Sequence, residues 1–181
     1  MGTSEQYGKV LIVGKQIMQT LPLNSQALPY PDPIHPIVVH FIIAMVLFSF
    51  CCDVIGYFTR NARFFEVSFW NLLVAAIAIF VAILFGQFEA GLANAYEASQ
   101  STLTAHTITG WSLSAILVAI VAWRFVIRSR NLLRIPPIYL GVATVLSLLV
   151  CFQTYLGTRL VWVYGLHVEP VVQAAKQGIL Q

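Results

Sequence analysis

Four stretches of the chain, near Ile37 to Tyr57, Trp70 to Ala90, Leu103 to Ile127 and Ile138 to Val163, are apolar on every face. Each reaches the roughly 20 residues of helix that cross a hydrocarbon core about 30 Å thick. A backbone in lipid finds no water for its amides, so only helices and closed barrels can cross. A barrel strand alternates apolar and polar residues over about ten positions, and these runs do not alternate. The expected fold is therefore all-α, an integral membrane four-helix bundle. Composition agrees, because only 9% of the 181 residues are charged and 59% are hydrophobic, against about 25% charged in an ordinary soluble domain.

The remaining charges lie between the runs. The loop after helix one carries Arg60 and Arg63, and the loop after helix three carries Arg124, Arg128, Arg130 and Arg134, whereas the loop after helix two has no Lys or Arg. By the positive-inside rule the arginine-bearing ends are cytoplasmic, which puts both termini on the non-cytoplasmic side. Residues 1–34 carry no secretory signal pattern, so the first span is expected to direct insertion. Within them Val10, Leu11, Val13, Ile17, Met18 and Leu21 alternate with Lys9, Lys15, Gln16 and Gln19 as in a helix lying in the interface. The segment from Pro29 to Pro36 reads as an extended linker, with Pro36 suited to the first turn of helix one. Residues 35–167 form the four-helix domain and 168–181 a C-terminal tail.

Several function classes fall away. Cys51, Cys52 and Cys151 form neither a disulfide framework nor a zinc motif. A net charge of +3 with arginines at membrane edges is not a nucleic-acid signature. There is no phosphate loop, nucleophile elbow or paired acid and base, so no catalytic activity of its own is expected. Transport would need ionisable groups through the membrane, and beyond the histidine face the polar groups within the runs are few and neutral, such as Ser112, Thr144, Ser147 and Gln153, with Asp53 toward the cytoplasmic end of helix one the lone exception.

The chemistry-bearing residues are histidines. By the count of crossings His35, His40, His106 and His167, together with Glu89, share the non-cytoplasmic face. Two neutral imidazoles from different helices can ligate the iron of a b-type haem from opposite sides. His40 and His106 are the preferred pair, each followed one turn on by a small residue, Ala44 and Gly110. Ala78, Ala82, Gly86 and Ala90 make a small stripe on helix two, with Trp111 and Phe41 near enough to flank a macrocycle. His35 and His40, five residues apart, are separated by roughly 140° around a helix and cannot share one small ion. A second haem between His35 and His167 is allowed. Glu89 is placed to orient a ligating imidazole from the outer shell. Beside these readings stand simpler ones, in which the rings are satisfied by interfacial water and the small stripe serves helix packing.

His35-Pro36-Ile37-Val38-Val39-His40-Phe41 resembles the opening H-P-x-x-V-H-F of a family of small bacterial four-helix membrane domains, domain-of-unknown-function family 2231. Gly86-Gln87-Phe88-Glu89 resembles its G-x-x-D, Ala105-His106 its helix-three histidine, and Thr158 to Gly165 its G-x-L-V-Y-x-H-G, with Tyr164 where relatives carry histidine. The resemblance spans about Pro33 to His167. It implies redox work, since some relatives are fused to Rieske domains or sit beside respiratory components. The expected function is a membrane electron-transfer protein or respiratory-chain subunit carrying one or two b haems in a bacterial inner or thylakoid membrane. Its partners would be other membrane subunits and a periplasmic or lumenal electron carrier. The alternative is a cofactor-free accessory subunit of a larger respiratory or photosynthetic complex.

Overall fold

The computed structural model describes residues 34–92, 95–130 and 135–179. The expected interfacial helix, residues 29–33 of the expected proline linker, and Arg134 lie outside the described residues, whereas Ile34 and His35, expected in the extended linker, are the first two residues of a helix. Five helices follow in order: α1 Ile34–Thr59, α2 Ala62–Leu92, α3 Glu97–Arg130, α4 Pro137–Trp162 and α5 Glu169–Lys176. The first four are long and apolar enough to cross a membrane, and among the described residues there is no strand.

The helix starts follow from local chemistry. Pro36 sits in the first turn of α1 and Pro137 is the first residue of α4, positions where the missing N–H costs nothing. Between α1 and α2 the chain reverses through Arg60, whose φ is 54°, and the Asn61 side chain accepts the Arg63 N–H at 3.0 Å to cap α2.

The helices run past the apolar stretches. α2 starts at Ala62 and α3 extends from Glu97 to Arg130. Thus Arg63, Glu66, Arg124, Arg128 and Arg130 are helical, and the arginines expected in the loop after helix three stand on α3 itself. The physical reason is that two of these arginines find partners on neighbouring helices. Arg128 binds Glu66 of α2 with both nitrogens, at 2.8 and 2.9 Å, and stacks over Phe69 at 4.8 Å. Arg124 Nη2 donates to Asp53 of α1 at 3.1 Å and to the Phe65 carbonyl at 3.2 Å. Its guanidinium lies over the Phe65 and Tyr139 rings.

α1 packs on α2 and α4, and α3 packs on α2 and α4, so the spans follow one another around the bundle. The middle layer is apolar and close-packed, with Ile42 and Val46 from α1, Leu72, Ala75, Ala76 and Ile79 from α2, Leu117 and Ile120 from α3, and Leu146 and Val150 from α4. Above and below it, side chains bridge the α1–α3 diagonal. His35 meets His106 at one end and Asp53 meets Arg124 at the other. On both helices the two bridging residues are 18 apart in sequence. That spacing is about five turns, which returns to the same azimuth after about 27 Å of rise, close to the thickness of the hydrocarbon layer.

Asp53 and Arg124 are 1% and 3% exposed. Removing one partner leaves the other buried and unpaired, which typically costs about 3–5 kcal/mol, whereas replacing both by apolar residues is often near neutral. Arg124→Leu should therefore lower stability far more than Asp53→Leu/Arg124→Leu. Glu66→Gln, in a pair about 30% exposed, should cost less than about 1 kcal/mol. Thermal unfolding of the three variants in detergent tests this order.

Candidate functional site

His35 is the second residue of α1, where a backbone N–H has no partner within the helix. That N–H donates instead to Glu89 Oε1 of α2, at 3.1 Å. Glu89 is 6% exposed, and the carboxylate that the sequence suggests as an orienter of an imidazole ring caps the α1 backbone. The His35 ring is oriented by a different group, since its Nδ1–H donates to the Ala82 carbonyl at 2.7 Å. With the proton on Nδ1, Nε2 carries a bare lone pair. The ring lies in a notch left by Gly86, where a Cβ would stand 2.8 Å from His35 Cε1.

His106 enters from α3, and its ring centroid is 6.5 Å from that of His35 with the planes at 85°. Gln153 of α4 holds this side, its amide donating to the His106 carbonyl at 2.9 Å and lying 3.2 and 3.4 Å from the ring nitrogens. Two glycines make room. A Cβ on Gly157 would be 3.2 Å from His106 Cε1, and one on Gly110 would be 3.1 Å from Gln153 Nε2. Gly110 thus admits the glutamine that steadies His106.

His167 follows α4 in a turn where Gly165 and His167 have φ of 63° and 68°. The Leu166 N–H closes the turn onto the Leu160 carbonyl at 3.0 Å, and Leu166 is buried. A left-handed residue other than glycine costs of order 1–3 kcal/mol. Packing holds this one: Val171 lies against Gly165, and Tyr164 is tied by hydrogen bonds from Tyr96, Thr102 and Arg159. His167 Nδ1 is buried without a hydrogen-bond partner. Burial first, and the charge of nearby His35 second, hold its pKa below the ordinary 6.5.

His40 stands apart. It is exposed, and its Nδ1–H donates to the Pro36 carbonyl of its own helix at 2.6 Å. Ala44 is exposed on the same side, and Trp111 and Phe41 are 54% and 46% exposed, so they line the outside of the bundle. The azimuth between His35 and His40 decides this, because the buried stripe of α1 runs through Ile42, Val46, Ser49 and Asp53, and His35 lies on its continuation whereas His40 does not. The small stripe on α2 is largely taken up in packing. Ala82 is 4% exposed, Ala78 packs on the core, and Gly86 receives His35.

The structure thus brings together His35 and His106, with Gly86, Gln153 and Gly157 around them. It puts Tyr164 in the lock of the C-terminal turn. Neither Gln153, a neutral polar group within a span, nor Gly157 has a part in the site expected from the sequence, and the signal that finds them is spacing, since they are four residues apart and share a face of α4. Among the described residues no group of three or more His, Cys, Asp or Glu is placed to hold a bare metal ion.

The fold and this site define a four-span, multi-pass membrane protein with a half-buried imidazole pair near one end. The family described as Predicted membrane protein (DUF2231) matches residues 31–170, and the chain belongs to it. No curated protein and no solved structure matches the chain.

Two outcomes follow from the packing and charge of the site. Gly86→Ala should cost about 1–3 kcal/mol by overpacking and more than Gly157→Ala, because its Cβ meets the ring at 2.8 rather than 3.2 Å. Thermal midpoints of the two variants check the order. For His167 the folded pKa is depressed, so the unfolded chain binds the proton first as pH falls. The stability it contributes is present above about pH 6.5 and is lost as pH drops below that value. His167→Gln should therefore flatten the fall in midpoint between about pH 7 and pH 5.

Proposed function

We propose that the chain is a membrane electron-transfer protein, or the electron-carrying subunit of a larger complex, that binds one b-type haem between His35 and His106. The observation that carries the proposal is the 6.5 Å between their ring centroids across the bundle. The two imidazoles, presented from α1 and α3, would hold the haem iron between them. The residues present suit such a group. His35 Nε2 is freed for ligation by the Ala82 carbonyl, and Gly86 and Gly157, on the two helices that flank the pair, each make room for one of the two rings.

When bound, haem supplies one-electron chemistry. The chain's own residues set the terms. The Ala82 carbonyl makes the His35 imidazole a stronger electron-pair donor by accepting a hydrogen bond from its Nδ1–H. Gln153 restrains His106, and the apolar middle layer keeps water away from this end of the bundle, which tunes potential through the local dielectric. His35 is committed to His106, so a second haem shared with His167 is not part of the proposal, and neither is ligation by the outward-facing His40.

The arginines support an orientation as well. Arg60, Arg63, Arg124, Arg128 and Arg130 gather at the Asp53 end, which the positive-inside rule assigns to the cytoplasm. The histidine end then faces the periplasm or lumen of a bacterial inner or thylakoid membrane, where a soluble carrier or a neighbouring redox subunit would exchange electrons.

A dithionite-reduced minus air-oxidised spectrum of the detergent-purified chain is the test, with haem counted per chain. The expected result is a b-type α band that is lost in His35→Ala and in His106→Ala and kept in His40→Ala. A colourless folded protein would overturn the haem reading and leave a cofactor-free accessory subunit in its place. Retention in both of the first two variants would overturn the ligand assignment.

A further inference from the structure

At the end opposite the histidines, a cavity of about 10 Å³ lies beside Asp53, lined mainly by α1 and α4 with Leu72 of α2 and Ile120 of α3. That is the volume one water molecule needs. Four polar side chains line it, Ser49 and Asp53 from α1 and Tyr139 and Ser147 from α4, and all four are at least nine-tenths buried.

The bookkeeping of hydrogens decides what the cavity can hold. Ser49 donates its hydroxyl to the Ser68 carbonyl at 2.8 Å, and Ser147 donates to the Ala143 carbonyl at 2.9 Å. The Tyr139 hydroxyl lines the same cavity as the Asp53 carboxylate, which can only accept and is the natural taker of the phenol's hydrogen bond. With those three protons spent, the wall offers acceptors alone. An occupant must be a donor, either a small cation or a water with two hydrogens to give. Arg124 already balances the charge of Asp53, so a second cation would stand unpaired in a low-dielectric interior at heavy cost.

We propose that this cavity is a binding site for a single water molecule, which donates to Asp53 and to a serine hydroxyl and so joins α1 to α4. The site lies on the seam where it has most to do, because α1 and α4 have the least extensive contact of the four neighbouring pairs. This inference is independent of the haem reading, since it involves neither histidine nor cofactor.

Ser147→Val tests it by sign. Its methyl groups fill the cavity, so in a dry cavity the substitution stabilises, whereas a hydrated one loses its water and an acceptor. The expected result for the full chain in nanodiscs is a thermal midpoint lowered by roughly 2–4 °C in both Ser147→Val and Ser147→Ala. A raised midpoint in Ser147→Val overturns the proposal. A direct readout stands beside it: cross-relaxation between water and the backbone amides of Leu146 and Ser147 is expected in the wild type and lost in Ser147→Val. Its absence in the wild type overturns the proposal even if Ser147→Val fails to fold. A wild-type midpoint that rises in sodium relative to potassium would put a cation in the site instead and equally overturn it.

Discussion

Placing an ion or an unpaired polar group in hydrocarbon costs several kcal/mol, and that cost organises the whole bundle. Each strongly polar side chain deep in the spans is turned inward and joined to another helix. Asp53 takes Arg124, and His35 takes the Ala82 carbonyl and faces His106. Both bridges cross the same diagonal, from α1 to α3. Apolar packing between helices is weakly specific in lipid, because lipid tails are as apolar as leucine. Two polar bridges about five turns apart are specific: they fix the rotation of α1 and α3 about their axes and their relative height. The Glu66–Arg128 pair and the Gln153–His106 contact extend the same logic to α2 and α4.

The spans themselves were plain in the sequence, because hydrocarbon thickness is a blunt requirement that composition alone reveals. Their ends were not. A hydropathy boundary stops at the first charge, so Arg124 and Arg128 read as loop residues, although a charge with a partner on a facing helix extends a span rather than ending it. The pairing signal was nonetheless present. His35 and Asp53, like His106 and Arg124, are separated by 18 residues, and two such separations on two helices point four polar residues at one axis.

The site was half legible for a similar reason. Spacing establishes that His35 and His40 face different ways, but not which of them faces inward. That choice is made by the continuation of the buried stripe through Ile42 and Val46, seven and eleven residues beyond His35. Small residues were equally ambiguous. Gly110, expected beside a macrocycle, makes room for Gln153, and Gly86, read as part of a stripe, receives an imidazole from another helix. A glycine states only that something comes close, and its partner is a tertiary fact that one chain of letters does not contain.

Between the two polar ends lies a layer of aliphatic side chains from all four helices, running from Ile42, Ile79 and Val150 toward Val46, Leu72 and Ile120. Such a layer is a barrier to ions and protons, which would lose their hydration there without compensation. The ends are thus chemically separate, and they differ in kind. The Asp53 end pairs its buried charges, Asp53 with Arg124, and spends the hydroxyl protons of Ser49 and Ser147 on backbone carbonyls, with Arg124 Nε left as a buried unmatched donor. The histidine end retains unused capacity: a bare lone pair on His35, a buried Nδ1 on His167 and a buried amide oxygen on Gln153. The unmatched groups of the two ends differ in sign: a buried donor, Arg124 Nε, at the Asp53 end, and acceptors beside a strained turn at the histidine end. That difference supports the proposal that an electron-pair acceptor such as a haem iron is held at the histidine end.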